Sequence, residues 1–156
     1  MRPGFPLVTA AALVAAGFAG PAWPPVEVRI CSTLDEAAPP GSGAVLLVFF
    51  SIECAVCYDE LFEARYLIDK GGWPVKVVGV ALELRDDLQT FLETHAWTSP
   101  VVLDRRKTLF RRFKVDAVPR SVLLLGREAV FRDDPYLGLE ARRKELAKWL
   151  TGFFSR

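Results

Sequence analysis

Two cysteines separated by two residues, Cys54 and Cys57, carry the clearest chemistry in this 156-residue sequence. An apolar run from Val45 to Phe50 precedes them and predicts a buried strand. Apolar residues spaced three to four apart follow them and predict a helix, so the pair falls on the first helical turn. The unpaired N–H groups and the dipole at a helix start stabilise a thiolate, which lowers the pKa of a cysteine there.

This placement predicts a redox-active pair. Cys54 is the candidate attacking thiol, and Cys57 can close a disulfide onto it and release a substrate from a mixed disulfide. A structural disulfide is one alternative, and half of a zinc site is another. Zinc needs four ligands, and the other candidates, Cys31 and His95, form no second paired motif. We therefore expect neither a metal nor a cofactor.

Composition bounds the class of protein. The sequence is 51% hydrophobic and 25% charged, which is typical of a globular protein, and its length suits one domain. The formal net charge is +1. A charge this small implies neither a nucleic acid nor an anionic surface as partner.

The N-terminal residues differ from the rest of the chain. Residues 1–25 carry a single charge, Arg2, followed by an apolar run over residues 7–19 that ends in small residues. This pattern predicts a secretory signal, and the run is short for a membrane span of about 20 residues. We assign residues 1–25 to a signal peptide or an N-terminal membrane anchor and residues 26–156 to the domain. Export would place that domain outside the cytosol, where disulfides persist.

Other elements follow from periodicity and from turn residues. Residues 26–30 predict a short edge strand, and Cys31 after it is expected to be a half-buried free thiol, with a third redox or dimer-forming role as the lesser alternative. Asp86 and Asp87 are candidate caps of a helix that ends near a solvated His95. The remaining predicted elements are strands over 75–82 and 100–104, a basic helix over 108–113, a hairpin over 119–132 and a helix over 139–153.

This order of elements resembles the thioredoxin fold over residues 26–153. The resemblance rests on the CxxC at a strand end, on Val118-Pro119 before a core strand, and on the hairpin and helix that follow. It implies an α/β fold in which helices flank a central mixed sheet, with an N-terminal extension and an inserted strand and helix. It also implies that Pro119 is cis, faces the cysteines, and exposes the backbone of Val118 to pair with a substrate peptide.

Within this superfamily the chain is most similar to exported redoxins of the TlpA/ResA type, which include reductases that serve cytochrome c maturation. The pattern Cys54-x-x-Cys57-x-x-Glu60 and the inserted segment 96–114 carry this resemblance. It implies that Glu60 is a partly buried carboxylate that exchanges protons with Cys57. The alternative is a solvated residue on the helix surface.

The sequence also departs from the family pattern. Glu53 replaces the tryptophan that commonly precedes the first cysteine, and its charge opposes the effect of the helix dipole on the Cys54 thiolate. Val48 stands where ordinary thioredoxins carry a buried acid. The dipeptide between the cysteines, Ala55-Val56, has no basic group of the kind that stabilises the reduced form of strong oxidants, which favours a reducing or neutral protein over a strong oxidase.

We therefore expect an enzyme, a thiol–disulfide oxidoreductase that reduces extracytoplasmic protein disulfides. Apocytochrome c is among its candidate substrates, and an external thiol donor, with a membrane redox protein among the candidates, would re-reduce it. We expect no nucleic acid as a partner, and we expect contact with a membrane only through an N-terminal anchor. One alternative is a peroxiredoxin-type peroxidase, for which Ser51-x-x-Cys54 fits but Leu47 replaces the expected proline. The other is a non-enzymatic metal- or thiol-binding module.

Overall fold

The computed structural model describes residues 26–155 as a sheet of six strands with helices packed against it. The predicted signal or anchor over residues 1–25 lies outside this range. Within the range, no helix has the length and apolar content that a membrane span requires. In chain order the elements are β1 (Ile30–Cys31), α1 (Leu34–Ala37), β2 (Ala44–Phe49), α2 (Ala55–Gly71), β3 (Val75–Ala81), α3 (Arg85–Thr94), β4 (Val101–Leu103), α4 (Thr108–Arg112), β5 (Arg120–Leu125), β6 (Glu128–Arg132) and α5 (Leu139–Phe154).

The sheet is mixed, as the resemblance implied. Its strand order is β1-β4-β3-β2-β5-β6. The first four strands in this order pair in parallel, whereas β5 runs antiparallel to both β2 and β6. All six residues of β2 are buried, because helices cover both faces of a central strand. This burial explains the unbroken apolar run before the cysteines, and the inserted segment 96–114 supplies β4 and α4.

Helix α2 extends from the cysteines into the core. Its buried positions follow helical spacing and comprise Cys57, Glu60, Leu61, Ala64 and Ile68. Gly72 ends the helix in the left-handed conformation, with φ of 64°, and its N–H donates to the carbonyl of Asp69. Val56 is apolar but 51% exposed, because it lies one residue out of phase with this stripe.

Three local predictions are wrong. Cys31 is a free thiol, but it is buried rather than half-buried, because its strand pairs with β4 beneath the short helix α1. Asp86 and Asp87 do not cap α3; the N-cap is Leu84, and both acids lie in the first turn, where they favour the helix dipole. His95 does end α3, but it is half-buried against aromatic rings.

Candidate active site

The two cysteines form a disulfide at the start of α2. Cys54 is the N-cap residue and is partly exposed, whereas Cys57 in the first turn is fully buried. The Cα atoms are 5.2 Å apart. The carbonyl of Cys54 accepts the N–H groups of Cys57 at 3.0 Å and of Tyr58 at 3.3 Å, so the helix begins at the disulfide itself. A thiol or disulfide that arrives from solvent therefore reaches the Cys54 sulfur before that of Cys57.

A carboxylate after β3 fixes the loop that leads into the cysteines. One oxygen of Glu83 accepts the N–H of Ile52 at 3.0 Å, and the other accepts the N–H of Leu82 at 2.9 Å. The N–H of Phe50 donates to the carbonyl of Val80 at 3.0 Å, which continues the pairing of β2 with β3 past the end of β2. No local pattern in the sequence indicates this role of Glu83, because its partner Ile52 lies 31 residues earlier in the chain.

Glu60 is buried, with 4% of its surface exposed, three residues after Cys57 on the inward stripe of α2. The interpretation of Glu60 as a solvated surface residue is therefore wrong. Nε of Arg143, on α5, donates to its carboxylate at 2.9 Å. Burial raises the pKa of Glu60 above its ordinary value of 4.5, and the hydrogen bond and charge of Arg143 oppose that rise. Proton exchange with Cys57 stays a prediction.

The Val118–Pro119 peptide bond is cis. Phe49 at the end of β2 is paired with Arg120 at the start of β5, so the proline lies at the edge of the sheet from which the cysteine loop leaves. Pro119 is buried and Val118 is half-buried. Cys54 and Val118 both pack against the hydrophobic cluster that contains Cys57. The structure thus brings the sequence-predicted residues of the two loops to one place.

A buried ionic network holds the proline loop. Asp133 is 4% exposed, and its carboxylate accepts Nε of Arg120 at 2.7 Å and Nη1 of Arg142 at 3.3 Å. The same Arg142 nitrogen donates to the carbonyl of Pro119 at 2.9 Å, and its other nitrogens donate to the carbonyls of Leu137 and Pro135, each at 2.8 Å. No local pattern in the sequence indicated a role in the site for Asp133, Arg120 or Arg142. The one available signal was a charged residue, Arg120, at the start of a strongly apolar strand.

The remaining candidate ligand, His95, lies in an aromatic cluster. Its ring centroid is 4.5 Å from that of Tyr58 and 4.6 Å from that of Phe91. Across residues 26–155, no group of three or more histidine, cysteine, aspartate or glutamate side chains is arranged to hold a metal ion.

Burial raises the pKa of the Cys31 thiol, and the charge of Arg29 opposes the rise, so Cys31 is a poor nucleophile.

Comparisons with known proteins agree with this geometry. The AhpC/TSA family matches residues 31–133. A search of curated proteins gave no match. Among solved structures, StoA from Bacillus subtilis is 24% identical with a TM-score of 0.57, and the match covers 71% of this chain and 84% of that one. A putative thiol-disulfide oxidoreductase from Bacteroides vulgatus is 12% identical with a TM-score of 0.62, over 76% and 78% of the two chains.

A third solved structure is similar in the same way. It is a secreted Mycobacterium tuberculosis disulfide oxidoreductase described as homologous to E. coli DsbE, with 17% identity and a TM-score of 0.53 over 74% of this chain and 85% of that one. At such identities these likenesses show the fold, whereas the family match extends over most of the chain and agrees with the predicted oxidoreductase class. The chain therefore belongs to the AhpC/TSA family, as a redoxin of thioredoxin-like fold whose paired cysteines form a disulfide.

Proposed function

We propose that this protein is a thiol–disulfide oxidoreductase that reduces disulfides of proteins outside the cytosol. The observation that carries the proposal is the Cys54–Cys57 disulfide at the start of α2, with one sulfur at the surface and the other in the core. A structural disulfide would gain little from this asymmetry. An enzyme needs it, because the exposed sulfur must meet the substrate and the buried one must wait for the mixed disulfide.

The reaction begins with both cysteines reduced. The Cys54 thiolate attacks one sulfur of a substrate disulfide, so a mixed disulfide forms and the other substrate sulfur leaves as a thiolate. The Cys57 thiolate then attacks the Cys54 sulfur, which forms the Cys54–Cys57 disulfide and releases the second substrate thiolate. The substrate gains two electrons and two protons, and the pair loses them. An external dithiol must return the electrons before the next cycle.

Val118 and Pro119 supply the surface on which the substrate backbone binds. Among residues 26–155, neither the N–H nor the C=O of Val118 has a hydrogen-bond partner. Free backbone groups at the end of a strand can pair with an extended peptide, as in an added β-strand. Because Val118 and Cys54 pack on one cluster, such a peptide would present its disulfide to the Cys54 sulfur.

Glu60 is proposed to exchange protons with Cys57. Cys57 must lose a proton before it can attack, and it is buried away from water. Glu60 lies one helical turn further along the same buried stripe, and burial raises its pKa, so its carboxyl group takes up a proton more readily than an exposed one does. The ion pair with Arg143 opposes this rise in the pKa of Glu60, so Glu60 stays more acidic than burial alone would make it.

An extracytoplasmic location is part of the proposal. It is supported by the signal-like pattern over residues 1–25 and by similar structures described as a secreted disulfide oxidoreductase and as an exposed lipoprotein thioredoxin from Streptococcus pneumoniae. Apocytochrome c stays among the candidate substrates, and a membrane redox protein among the candidate donors.

The reduction potential of the Cys54–Cys57 pair tests the direction of electron flow. Equilibration of the protein with a dithiothreitol or glutathione series should give a value near or below about −250 mV, close to the roughly −270 mV of thioredoxin. A value near the roughly −120 mV of a strong oxidant would instead indicate a disulfide-forming catalyst and would contradict the reductase proposal.

A thiol peroxidase is the second candidate, because the AhpC/TSA match is also compatible with a peroxiredoxin. Against it, Leu47 occupies the place of the expected upstream proline and is fully buried within β2. Hydrogen peroxide consumption by the reduced protein distinguishes the two activities. Rapid turnover of peroxide, together with slow reduction of protein disulfides, would favour the peroxidase.

A further inference from the structure

Positively charged side chains cluster in the sequence around α4. The formal net charge is only +1, yet six cationic side chains fall within ten residues around α4. They are Arg105, Arg106, Lys107, Arg111, Arg112 and Lys114. Three of the six, at 107, 111 and 114, line one groove, with a volume of about 640 Å³.

This basic groove joins the proposed substrate-binding loop. Ser51 and Val118 line it at the end nearest the cysteines, and Phe50, Phe110 and Val115 give it an apolar surface. It is therefore a continuation of the surface on which a substrate backbone would bind. A peptide that pairs with Val118 has side chains within reach of the groove, because neighbouring residues of a strand point to opposite sides.

The three cations of the basic groove are free of internal partners. Within residues 26–155, none of Lys107, Arg111 and Lys114 takes part in a salt bridge or a side-chain hydrogen bond. Glu83, an acid in the groove lining, already uses both oxygens on backbone N–H groups, and the other acid there, Asp116, is exposed. Its three cations outnumber these two acids by one, and no acid holds any of the three in an ion pair, so all three are available to an anionic ligand.

Two of these three cations, both of them lysines, occupy backbone positions that suit glycine better. Lys107 begins α4 with φ of 54°, and Lys114 follows its end with φ of 51°. Residues with a side chain rarely adopt this left-handed conformation, which costs them free energy. Glycine would therefore fit both positions without disturbing the fold, which makes it the natural replacement in a test of the two charges.

We propose that the basic groove binds acidic side chains that flank the disulfide of a protein substrate, so that the enzyme prefers disulfides in acidic segments. This specificity rests on the proposed function, because it concerns which protein disulfides the Cys54–Cys57 pair reduces. A peptide is favoured over a flat anionic surface because the site is concave and partly apolar. Opposite charges at such a site speed encounter and stabilise the complex, and salt weakens both effects.

The test compares two disulfide-bonded peptides that differ only in two residues beside a cysteine, Glu in one and Gln in the other. The reduced full-length protein is expected to reduce the Glu peptide with a kcat/KM about tenfold higher at low salt, and the ratio should fall toward one as salt rises. A neutral disulfide, hydroxyethyl disulfide, reports the basal activity. Equal kcat/KM for the two peptides, with normal basal activity, would overturn the groove proposal and leave the proposed function standing.

Two triple variants locate the effect. Lys107→Gly/Arg111→Gln/Lys114→Gly should abolish the preference for the Glu peptide and leave reduction of hydroxyethyl disulfide unchanged. The matched control, Arg85→Gln/Arg105→Gln/Arg106→Gln, removes the same number of charges from exposed side chains that line a different cavity. It should keep the preference. Equal loss in both variants would show a general charge effect and would contradict a specific groove.

A binding measurement separates this inference from catalysis. Versions of the two peptides with serine in place of cysteine should bind the oxidised protein with a Kd about tenfold lower for Glu than for Gln, and the groove variant should lose the difference. Equal Kd values would overturn the proposal even if the protein reduces disulfides. Binding of phosphatidylserine vesicles through the same three cations, without a preference between the peptides, would assign the groove to a membrane and would also overturn it.

Discussion

Two groups of cationic side chains adjoin the Val118–Pro119 loop, and they differ in what neutralises them. Arg120 and Arg142 are largely buried, and both bind the carboxylate of Asp133. The three cations of the basic groove are exposed at 107, 111 and 114 and have no acidic partner among the described residues. A buried charge must be paired, whereas an exposed one need not be. The buried group therefore fixes the loop, and the exposed group is free for a ligand.

The largest expected effect comes from breaking the buried group. Asp133→Ala removes the shared partner of Arg120 and Arg142 and leaves two poorly solvated charges unpaired. Breaking a buried ion pair on one side costs about 3–5 kcal/mol, and we expect a loss of that size in the free energy of unfolding by urea. A loss below about 1 kcal/mol would mean that the network does not hold the loop.

A smaller effect should follow from Arg142→Lys, which keeps the positive charge but removes the planar arrangement of N–H donors. An ammonium group cannot donate at once to the carbonyls of Pro119, Leu137 and Pro135. We expect a loss of about 1–2 kcal/mol in the free energy of unfolding. The matched control is Arg106→Lys on the exposed surface, which should change stability by less than about 0.5 kcal/mol. Equal effects in the two variants would contradict the distinction between the groups.

Glu60→Gln tests a second buried acid–arginine pair, that of Glu60 with Arg143, through the pH dependence of the free energy of unfolding. Burial raises the folded-state pKa of Glu60 above 4.5, so the folded protein binds this proton more tightly than the unfolded chain does. The stability that this proton gives is complete below about pH 4 and is lost as pH rises through the folded pKa. The variant should lack that loss, so its stability relative to wild type should rise across this window.

The same variant probes the proposed proton exchange. If Glu60 exchanges protons with Cys57, the pH profile of disulfide reduction should shift in Glu60→Gln. A changed stability profile with an unchanged activity profile would make Glu60 a structural residue only. Glu140 does not interfere, because the hydrogen bond and charge of Lys144 lower its pKa, and its contribution changes only as pH falls below 4.5.

The smallest effect is expected from the exposed group. Each change in Lys107→Gly/Arg111→Gln/Lys114→Gly removes a charge without an internal partner, and the two glycines relieve left-handed backbone. We expect the free energy of unfolding to change by less than about 0.5 kcal/mol per substitution. A loss comparable to that of Asp133→Ala would show that these cations stabilise the fold and would remove the contrast.

The parts of the site that the sequence predicted are those set by local pattern. An apolar run, a change to helical spacing and two cysteines located the disulfide at the start of α2. Local sequence patterns could not predict residue contacts that form only through tertiary packing. Glu60 and Arg143 are 83 residues apart, and Arg142 and Pro119 are 23 apart.

Burial was mispredicted for the same reason. Cys31 is buried because β1 pairs with β4, which lies 71 residues later in the chain, and α1 packs beside them. His95 is half-buried because Tyr58 on α2 meets the end of α3. Neither contact leaves a periodic signal near the residue concerned. The family resemblance anticipated the cis bond before Pro119, which composition and spacing could not do.

The central claim is that Cys54 attacks and Cys57 resolves, and trapping of a mixed disulfide tests it most directly. Cys57→Ala, mixed with a disulfide-bonded peptide, should accumulate a dithiothreitol-sensitive adduct at Cys54 by mass spectrometry, because the resolving thiol is gone. The matched variant Cys54→Ala should form none, since its remaining thiols, Cys57 and Cys31, are buried. An adduct on Cys57 in that variant, or no adduct in Cys57→Ala under conditions where wild type reduces the peptide, would contradict the assignment.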